Sequence, residues 1–423
     1  DIADMQVPGG RRRETGGDSH GDPPTRPRRA HQSRFPFAQS LASLHAMIDD
    51  SQFEAAFAAA NIPGAVGMIV DRDGVRYSRA LGVADVASGT AMAEDTLAPI
   101  ASMTKALVSV GAMQLVEQGR LSLDADIGAV LPELANPQVL EGFGADGQPQ
   151  TRAAKRPVTL RHLLTHTSGF GYSFIHPEVL QVYAARGMPK AGTLDTIRMP
   201  LMFDPGERWE YGVSTDWAGL AIEAVTGERL NDYLTANLFD PLGMKDTAFR
   251  PALPEDAAKV HIRTPDGALS PIPLYIGGGA LDGGGGGGTS TAPDYARFVR
   301  MLLNGGELDG ARVLKAETVA DMGQNHVAPL RAGYMGTAMP ELAQPYDTFP
   351  DQHTGWGLGF LINPEPGPNG RSAGSMAWAG IFNSYYWVDP VKGVGGVFVS
   401  QLSPFGDPGA LDCFGALERM AYA

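Results

Sequence analysis

The sequence predicts a mixed α/β (α+β) fold, in which helices flank an antiparallel sheet and a mostly helical region is inserted. Strand-like segments near both ends of the chain and helical periodicity between them support this prediction. The 423 residues also exceed one compact unit of about 150 residues. We therefore predict a disordered tail over 1–40, a discontinuous sheet domain over 41–125 and 251–423, and a helical domain over 126–250, with the functional site between the two domains.

The N-terminal stretch differs in composition from the rest of the chain. Residues 1–34 contain seven arginines, five acidic residues and several prolines and glycines, but almost no large apolar residues. Such a segment buries too little surface to offset its ordering entropy, so we predict a disordered leader, with a basic docking arm as the alternative. No apolar core of about 7–15 residues follows the arginines, so we expect no secretory signal and a cytoplasmic location. The sequence begins at Asp1 and not at Met, so it leaves open whether a further segment precedes it.

The periodic segments follow each other in a consistent order. An amphipathic helix is predicted from about Leu41 to Ala60, followed by a hairpin whose turn is Arg72-Asp73-Gly74. Further helices and strands are separated by loops rich in glycine and proline. The predicted strands are 65–71, 75–81, 357–362, 384–388 and 395–401, and the predicted helices are 102–118, 160–165, 217–225, 230–238, 294–303 and 411–420.

Composition excludes several classes of function. Apolar residues make up 43% of the chain and the formal net charge is −14. An acidic body repels phosphate backbones and anionic lipid, so we expect neither nucleic-acid nor membrane binding. The longest apolar segment, 106–116, is too short to span a bilayer. The single cysteine, Cys413, excludes an internal disulfide and a cysteine-based zinc cluster. The sequence leaves the oligomeric state open.

Ser102 and Lys105 form an S-x-x-K motif at the start of a predicted helix. Residues i and i+3 share a helix face, so the hydroxyl and the amine can come within hydrogen-bonding distance. A serine needs a base to become a nucleophile, and burial beside a helix N-terminus favours the uncharged amine. Taken alone the motif is weak, because a solvated lysine beside a capping serine has the same spacing.

Companion motifs add specificity to this pair. They occur at 100–105, 160–169, 205–211, 294–309, 356–360 and 378–380. With these motifs the sequence resembles the serine β-lactamase and penicillin-binding-protein superfamily, and most closely its carboxylesterase branch, the family VIII esterases. The resemblance extends from about Ile62 to the C-terminus and implies a serine β-lactamase-like fold.

The resemblance implies roles for three side chains. Ser102 would be the acylated nucleophile and Lys105 its basic partner. Tyr211 matches the family's tyrosine element, in which a phenolate shares the role of base with the lysine. A nearby ammonium would lower the pKa of this tyrosine. The alternative for Tyr211 is aromatic packing beside Trp209.

The resemblance also implies an oxyanion site. Trp378, Ala379 and Gly380 stand where lactamases carry K-T-G, on an edge strand that lines the cleft. The backbone N–H of Ile381 would then join that of Ser102 in holding an oxyanion.

Two departures from the lactamase pattern favour an ester as the substrate. Val213 replaces the asparagine that contacts a substrate amide, and Trp378 replaces the lysine that helps hold the β-lactam carboxylate. Both changes make the cleft more apolar, so we expect weak β-lactam hydrolysis at most. Phe170 is predicted to line the substrate cleft, with core packing as its alternative.

Other motifs are weaker candidates for a site. Ser372 lies in a G-x-S-x-G sequence but follows a proline-rich loop, so we predict a loop residue. His162 and His166 have metal-ligand spacing without the glutamate of H-E-x-x-H, which favours structural hydrogen bonds. The glycine run 283–288 lacks the lysine of a phosphate loop and indicates a mobile loop or a close backbone approach. Cys413 is predicted to be buried.

The sequence thus predicts a serine carboxylesterase that uses neither metal nor cofactor and acts on a small-molecule ester. A β-lactamase and a D-amino-acid peptidase or amidase remain alternatives with the same site. A penicillin-binding sensor that deacylates slowly is the alternative outside enzymes.

Overall fold

A computed structural model describes residues 49–423. The predicted tail and the first eight residues of the predicted opening helix therefore lie outside the described residues. The strands are β1 (Gly64–Asp71), β2 (Val75–Asp85), β3 (Thr90–Ala91), β4 (Ala98–Pro99), β5 (Gln138–Phe143), β6 (Pro149–Ala153), β7 (Ala248–Phe249), β8 (Val260–Arg263), β9 (Leu269–Ile272), β10 (Gly288–Ser290), β11 (Glu307–Leu308), β12 (Ala311–Arg312), β13 (Gly355–Trp356), β14 (Leu361–Ile362), β15 (Met376–Gly380), β16 (Ser384–Asp389), β17 (Val394–Ser400) and β18 (Leu402–Ser403).

The helices lie at both ends of this region and through its middle. They are α1 (Ser51–Ala60), α2 (Thr104–Glu117), α3 (Leu160–Leu164), α4 (Pro177–Arg186), α5 (Ser214–Thr226), α6 (Leu230–Leu234), α7 (Asp240–Leu242), α8 (Ala292–Leu303), α9 (Ala316–Met322) and α10 (Pro408–Tyr422). Single 3₁₀ turns occur at Ala101–Met103, Ile127–Ala129, Pro132–Leu134 and Leu194–Thr196, and Thr235–Phe239 forms a π-helical turn. None of the helices within residues 49–423 is both long and apolar enough to cross a membrane.

Within residues 49–423, eight strands form one antiparallel sheet in the order β13-β14-β15-β16-β17-β1-β2-β3. β1 joins the two chain ends, because Ala65 pairs with Ser400 of β17 and with Leu81 of β2. Residues of both chain ends therefore share the sheet, as the sequence predicted, and the predicted mixed fold with an antiparallel sheet is confirmed.

Helices cover both faces of this sheet. On one face, Phe53 of α1 and Leu417 of α10 close over Gly67, where a Cβ would lie 2.9 Å from the Phe53 ring. On the opposite face, Val299 of α8 packs over Gly395 of β17. Since alternate residues of a strand face opposite sides, these glycines admit helices on both surfaces and bury the sheet.

Most elements between residues 126 and 250 are helices and turns, which agrees with the sequence. The hairpin formed by β5 and β6 was not predicted. Its residues are mostly exposed or half-buried and lack the alternation of apolar and polar residues by which a strand is recognised. The described residues belong to one compact unit, so the division into a sheet domain and a helical domain remains a prediction.

The predicted strand 357–362 is wrong over most of its length. Gly357 to Phe360 form a tight turn between β13 and β14, closed by a hydrogen bond from the Gly357 N–H to the Phe360 carbonyl oxygen at 2.7 Å. Gly359 has φ +104°, and a Cβ there would lie 2.3 Å from the Ser109 hydroxyl of α2. The close approach of α2 therefore requires glycine and a turn at this point.

Candidate functional site

Ser102 lies in the 3₁₀ turn Ala101–Met103, which leads directly into α2. The preceding residue, Ala101, has φ +44°, a left-handed conformation that costs a non-glycine residue roughly 1–3 kcal/mol. The Tyr295 hydroxyl of α8 donates to the Met103 carbonyl oxygen at 2.9 Å. This bond fixes the turn to the body of the fold. The hydroxyl of Ser102 is half-buried at the beginning of a 14-residue helix.

Lys105 lies in the first turn of α2 and is 1% exposed. Its Nζ lies 3.2 Å from Ser102 Oγ, 2.9 Å from the Tyr172 hydroxyl and 2.6 Å from the Gly285 carbonyl oxygen. Burial disfavours the ammonium and lowers the pKa of Lys105 to about 7, while the carboxylate of Asp216 opposes this shift. A large fraction of these side chains is therefore uncharged near neutral pH.

The contacts of the uncharged amine limit which atom can donate to which. A neutral amine has two N–H groups and one lone pair, and the Gly285 carbonyl can only accept, so it takes one N–H. If the Tyr172 oxygen accepts the second N–H, the lone pair of Lys105 points to the Ser102 hydroxyl. In this arrangement the amine is ready to accept the serine proton.

Tyr211 lies on the other side of Ser102, in the segment before α5. Its hydroxyl is hydrogen-bonded to Ser102 and accepts a hydrogen bond from the Trp378 indole N–H at 2.9 Å. Burial raises the pKa of Tyr211 above its ordinary value, although both hydrogen bonds oppose the shift. The raised pKa contradicts the expectation of a phenolate at Tyr211. The pKa of Lys105 is itself lowered, so Lys105 supplies little positive charge to stabilise a phenolate. The structure therefore gives a neutral phenol beside Ser102.

An aromatic cluster surrounds Tyr211. The Tyr211 ring lies 5.0 Å from Trp378, 6.3 Å from Trp209 and 4.8 Å from the His166 imidazole, measured between centroids. Trp356 lies 4.6 Å from Trp378 and 5.3 Å from Trp209. Burial and nearby Lys105 hold the pKa of His166 well below its usual value. The cluster restrains the Tyr211 ring and keeps water from one side of the site.

The C-terminal end of β15 packs against the segment before Ser102. A Cβ on Gly380 would lie 2.5 Å from the Ile100 carbonyl oxygen. This contact brings Trp378, Ala379, Gly380 and Ile381 to the pocket beside Ser102. β15 was predicted to be an edge strand, but β14 pairs with its residues Met376 and Ala377. The turn at Gly359 ends this pairing before Trp378.

The pocket at Ser102 has a volume of about 20 Å³ and is mostly apolar. It is lined by Ser102, Phe174, Tyr211, Met335, Trp378, Ala379, Gly380, Ile381 and Phe405. Two predicted cleft residues lie elsewhere. Val213 is buried immediately before α5. Phe170 stacks on Trp217 with 5.9 Å between ring centroids and lines a separate surface cavity of about 410 Å³.

Sequence reasoning assigned no role to three residues around Lys105, namely Tyr172, Asp216 and Gly285. The Tyr172 hydroxyl lies 2.9 Å from the amine. Asp216 lies buried in the first turn of α5 and accepts a hydrogen bond from the Gly285 N–H at 2.9 Å. Two signals for these residues were present in the sequence: an acidic residue within a predominantly apolar helix, and the glycine run 283–288. The run does approach the site closely, as one of the two predictions for it stated.

The remaining sequence candidates lie outside this site. Ser372 is a loop residue, as predicted, and its N–H donates a hydrogen bond to Asp389. His162 accepts a hydrogen bond from the Thr159 N–H in a capping box at the start of α3, as predicted. The same prediction is wrong for His166 Nδ1, which is buried without a hydrogen-bond partner among the described residues, because the His166 ring packs against Tyr211 and Trp356. Cys413 is buried in α10. Within residues 49–423, no three His, Cys, Asp or Glu side chains converge on a position that could hold a metal ion.

The fold and the site define a class of enzymes, the serine hydrolases with a β-lactamase-like fold. Comparison with known families gives the particular family. The Beta-lactamase family matches residues 50–413, and the chain belongs to that family.

Curated relatives of this chain include hydrolases and acyltransferases. It is 35% identical over 373 residues to lovastatin esterase of Penicillium rubens, a match that covers 83% of this chain and 92% of the relative. It is 33% identical to monacolin J acid methylbutanoyltransferase of Aspergillus terreus, covering 88% and 95% of the two chains. Esterase EstB of Burkholderia gladioli is 30% identical, with 92% and 97% covered.

Solved structures agree with this assignment. The LovD6 mutant of simvastatin synthase from Aspergillus terreus superimposes with a TM-score of 0.77 at 32% identity, covering 91% of this chain and 96% of the other. EstCE1, described as a hydrolase with promiscuous acyltransferase activity, has a TM-score of 0.71 at 23% identity, covers 91% of this chain and 99% of the other, and supports the fold alone.

Proposed function

We propose that the protein is a serine carboxylesterase that hydrolyses carboxylic esters through an acyl-enzyme on Ser102. One observation carries the proposal: the amine of Lys105 lies 3.2 Å from Ser102 Oγ, and burial lowers the pKa of Lys105 to about 7. An amine that is largely uncharged at this distance can remove the serine proton as the oxygen attacks. A solvated lysine, the alternative for an S-x-x-K motif, would be almost fully protonated at the same pH.

Acylation begins when the Ser102 hydroxyl donates its proton to Lys105 Nζ and its oxygen bonds to the ester carbonyl carbon. The carbonyl oxygen becomes an oxyanion, which the backbone N–H groups of Ser102 and Ile381 are proposed to hold. The packing of Gly380 on Ile100 supports this pairing, since it brings the end of β15 to Ser102. When the tetrahedral species collapses, the bond to the alcohol oxygen breaks.

The neutral Tyr211 phenol donates its proton to the leaving alcohol. The Lys105 ammonium, whose Nζ lies 4.6 Å from the centroid of the Tyr211 ring, then gives the proton taken from Ser102 back to the phenolate. The hydrogen bond from Trp378 orients that phenol and makes it a better donor. Water then attacks the acyl-enzyme and gives a proton to Lys105, and Lys105 returns that proton to Ser102 Oγ as the carboxylic acid is released. Acylation and deacylation each leave the side chains in their starting protonation states, so no cofactor is required.

The lining of the pocket supports an ester as substrate. Phe174, Met335 and Phe405 are apolar, and an indole N–H occupies the place of the lactamase lysine. A β-lactam carboxylate would therefore lose a cationic partner, and its desolvation would be uncompensated. An ester carries no such charge and fits the small apolar pocket better.

Two serine variants test the proposal. Ser102→Ala should abolish hydrolysis of p-nitrophenyl acetate, while Ser372→Ala should retain it almost fully, because Ser372 is a loop residue tied to Asp389. Intact-mass measurement of the wild-type protein with excess ester should show one acyl adduct that Ser102→Ala lacks. Activity that persists in Ser102→Ala, or an adduct on another residue, would overturn the assignment.

Acyl transfer to an alcohol is a second candidate, favoured by the relatives that are named methylbutanoyltransferases. An acyl-enzyme on Ser102 can react with an alcohol in place of water. Adding an alcohol acceptor at fixed ester concentration separates the two: transferase function predicts more new ester than acid. Nitrocefin and D-alanyl peptides in the same assay test lactamase and peptidase activity, and an adduct that persists for hours would indicate a slow-deacylating sensor.

A further inference from the structure

Asp216 is a buried carboxylate that has no direct contact with Ser102. It lies in the first turn of α5 and is 8% exposed. Its Oδ1 accepts a hydrogen bond from the Gly285 N–H at 2.9 Å, and the carbonyl oxygen of the same glycine accepts from Lys105 Nζ at 2.6 Å. The carboxylate and the amine are thus bonded to the N–H and C=O groups of one residue.

We propose that Asp216 is a positioning residue for Lys105, which fixes the Gly285 backbone as a hydrogen-bond acceptor and holds a carboxylate one glycine away from the amine. The inference rests on the proposed function, since it assumes that Lys105 acts as the base. It assigns a chemical role to the glycine run 283–288, which the sequence left open.

The packing of the glycine run explains why Asp216 can act at this position. A Cβ on Gly285 would lie 2.3 Å from Asp216 Oδ2 and 2.9 Å from the Tyr172 hydroxyl. A Cβ on Gly284 would lie 2.8 Å from the Thr215 carbonyl oxygen. The loop is therefore pressed against the first turn of α5, and only residues without side chains allow the carbonyl of Gly285 to reach the amine.

The geometry of the amine depends on this acceptor. If Gly285 moved, Lys105 would lose the one partner that can only accept a hydrogen bond, and its lone pair would no longer be directed to Ser102. A shift of about 1 Å in a catalytic group can cost on the order of 10²-fold in rate. Asp216 acts on this step through Gly285 and touches no reacting atom.

Charge is the second way in which Asp216 acts on Lys105. The amine is faced by the titratable side chains of Tyr172, Tyr211 and His166, which are neutral at pH 7 because burial moves their pKa values away from 7. The Asp216 carboxylate, whose own pKa is raised by burial, is the charge that favours the ammonium of Lys105. Removing it should lower the pKa of Lys105.

A purely structural role is the competing explanation, because an aspartate in the first turn of a helix also stabilises that helix. Asp294 provides a matched control. It is another buried carboxylate in the first turn of a helix, α8, and it accepts a backbone hydrogen bond from Asp246 at 2.8 Å. It has no contact with Lys105 among the described residues.

The experiment measures the pH profile of kcat/KM for p-nitrophenyl acetate in Asp216→Asn, Asp216→Ala and Asp294→Asn, with thermal unfolding in parallel. Asp216→Asn keeps an oxygen for the Gly285 N–H and loses the charge, so the acid limb should move to lower pH by roughly half a unit or more. Asp216→Ala loses both, so kcat at the alkaline plateau should fall on the order of 10-fold or more with little change in KM. Asp294→Asn should leave the limb in place and lower only the unfolding temperature.

An acid limb that stays in place in Asp216→Asn would overturn the proposal, and so would an equal shift in Asp294→Asn. Full plateau activity in Asp216→Ala would refute the positioning role. Failure of the proposed function itself has a different signature, because the wild-type protein would then form no acyl adduct on Ser102. A normal adduct with an unmoved limb removes the role of Asp216 alone.

Discussion

The indole N–H of Trp378 donates a hydrogen bond to the Tyr211 hydroxyl at 2.9 Å, and both side chains are buried. Trp378 stands at the position where the sequence led us to expect substrate contact. In the structure it has a second partner, the phenol next to Ser102. A residue that lines the pocket can thus also orient the phenol that is proposed to protonate the leaving alcohol.

Trp378→Phe removes this hydrogen bond and keeps an aromatic ring in the cluster. Because a single hydrogen bond contributes about 0.5–1.5 kcal/mol, kcat for p-nitrophenyl acetate should fall by up to about tenfold with a smaller change in KM. Trp387→Phe is the control, since the Trp387 N–H likewise donates to a tyrosine, Tyr422, at 3.0 Å but lies in β16 outside the site. Equal losses in the two variants would contradict the role of Trp378.

The depressed pKa of Lys105 predicts a pH dependence of both activity and stability. Activity should rise as pH increases through about 7, because the uncharged amine is the reactive form. Between pH 7 and about 10.5 the unfolded chain keeps a proton on this lysine that the folded chain has lost, so stability should rise with pH across that window.

Lys105→Met removes this proton linkage. Urea unfolding at pH 7, 8 and 9 should therefore show the wild type gaining stability relative to the variant, by up to about 1.4 kcal/mol per pH unit. The exposed Lys190 supplies the control Lys190→Met, which should show no such difference. A wild-type profile parallel to that of Lys105→Met would mean that Lys105 remains charged in the folded protein.

Adjacent glycines of the run 283–288 should differ sharply in their tolerance of a side chain. Gly285→Ala would place a Cβ 2.3 Å from Asp216 Oδ2, whereas the nearest atoms to a Cβ on Gly286 lie 3.7 Å away. Esterase activity should fall on the order of 10²-fold in Gly285→Ala, because displacement of the loop moves the Lys105 acceptor. Gly286→Ala should keep most activity. A tolerant Gly285 would show that the loop does not hold the amine.

The small pocket beside Ser102 predicts a preference for short acyl groups. Met335 is 7% exposed and forms part of the lining. Met335→Ala should enlarge the pocket and raise the ratio of octanoate to acetate hydrolysis on the order of 10-fold. The reason is that each methylene of the acyl chain that becomes buried contributes about 0.8 kcal/mol of binding free energy. Met188→Ala, at a position 68% exposed, should leave the ratio unchanged. The p-nitrophenyl ester series measures both variants.

Local patterns made part of the site predictable from sequence. Ser102 and Lys105 are three residues apart on one helix, so helix geometry alone brings them together. Tyr172 and Gly285 contact the same amine but are 67 and 180 residues away along the chain, and no local pattern encodes their approach. Their position results from the packing of the helices and the glycine run, which tertiary structure alone determines.

The fold shows the same division between local and long-range information. The hairpin of β1 and β2 has strand-forming residues and a turn at Asp73-Gly74, and both strands were predicted. The predicted strand across Gly359 failed because a contact with Ser109 of α2 requires a turn there. Likewise, Phe170 has the character of a pocket residue, yet it stacks on Trp217 in a different part of the fold.

The aromatic cluster around Tyr211 gives the protein a built-in optical reporter. Three of the five tryptophans in the chain pack within or against that cluster, namely Trp209, Trp356 and Trp378. Indole emission depends on local polarity and on neighbouring quenchers, so occupancy of Ser102 should alter the intrinsic fluorescence of the unlabelled chain. Stopped-flow fluorimetry could then follow the formation and decay of a covalent intermediate with substrates that release no chromophore.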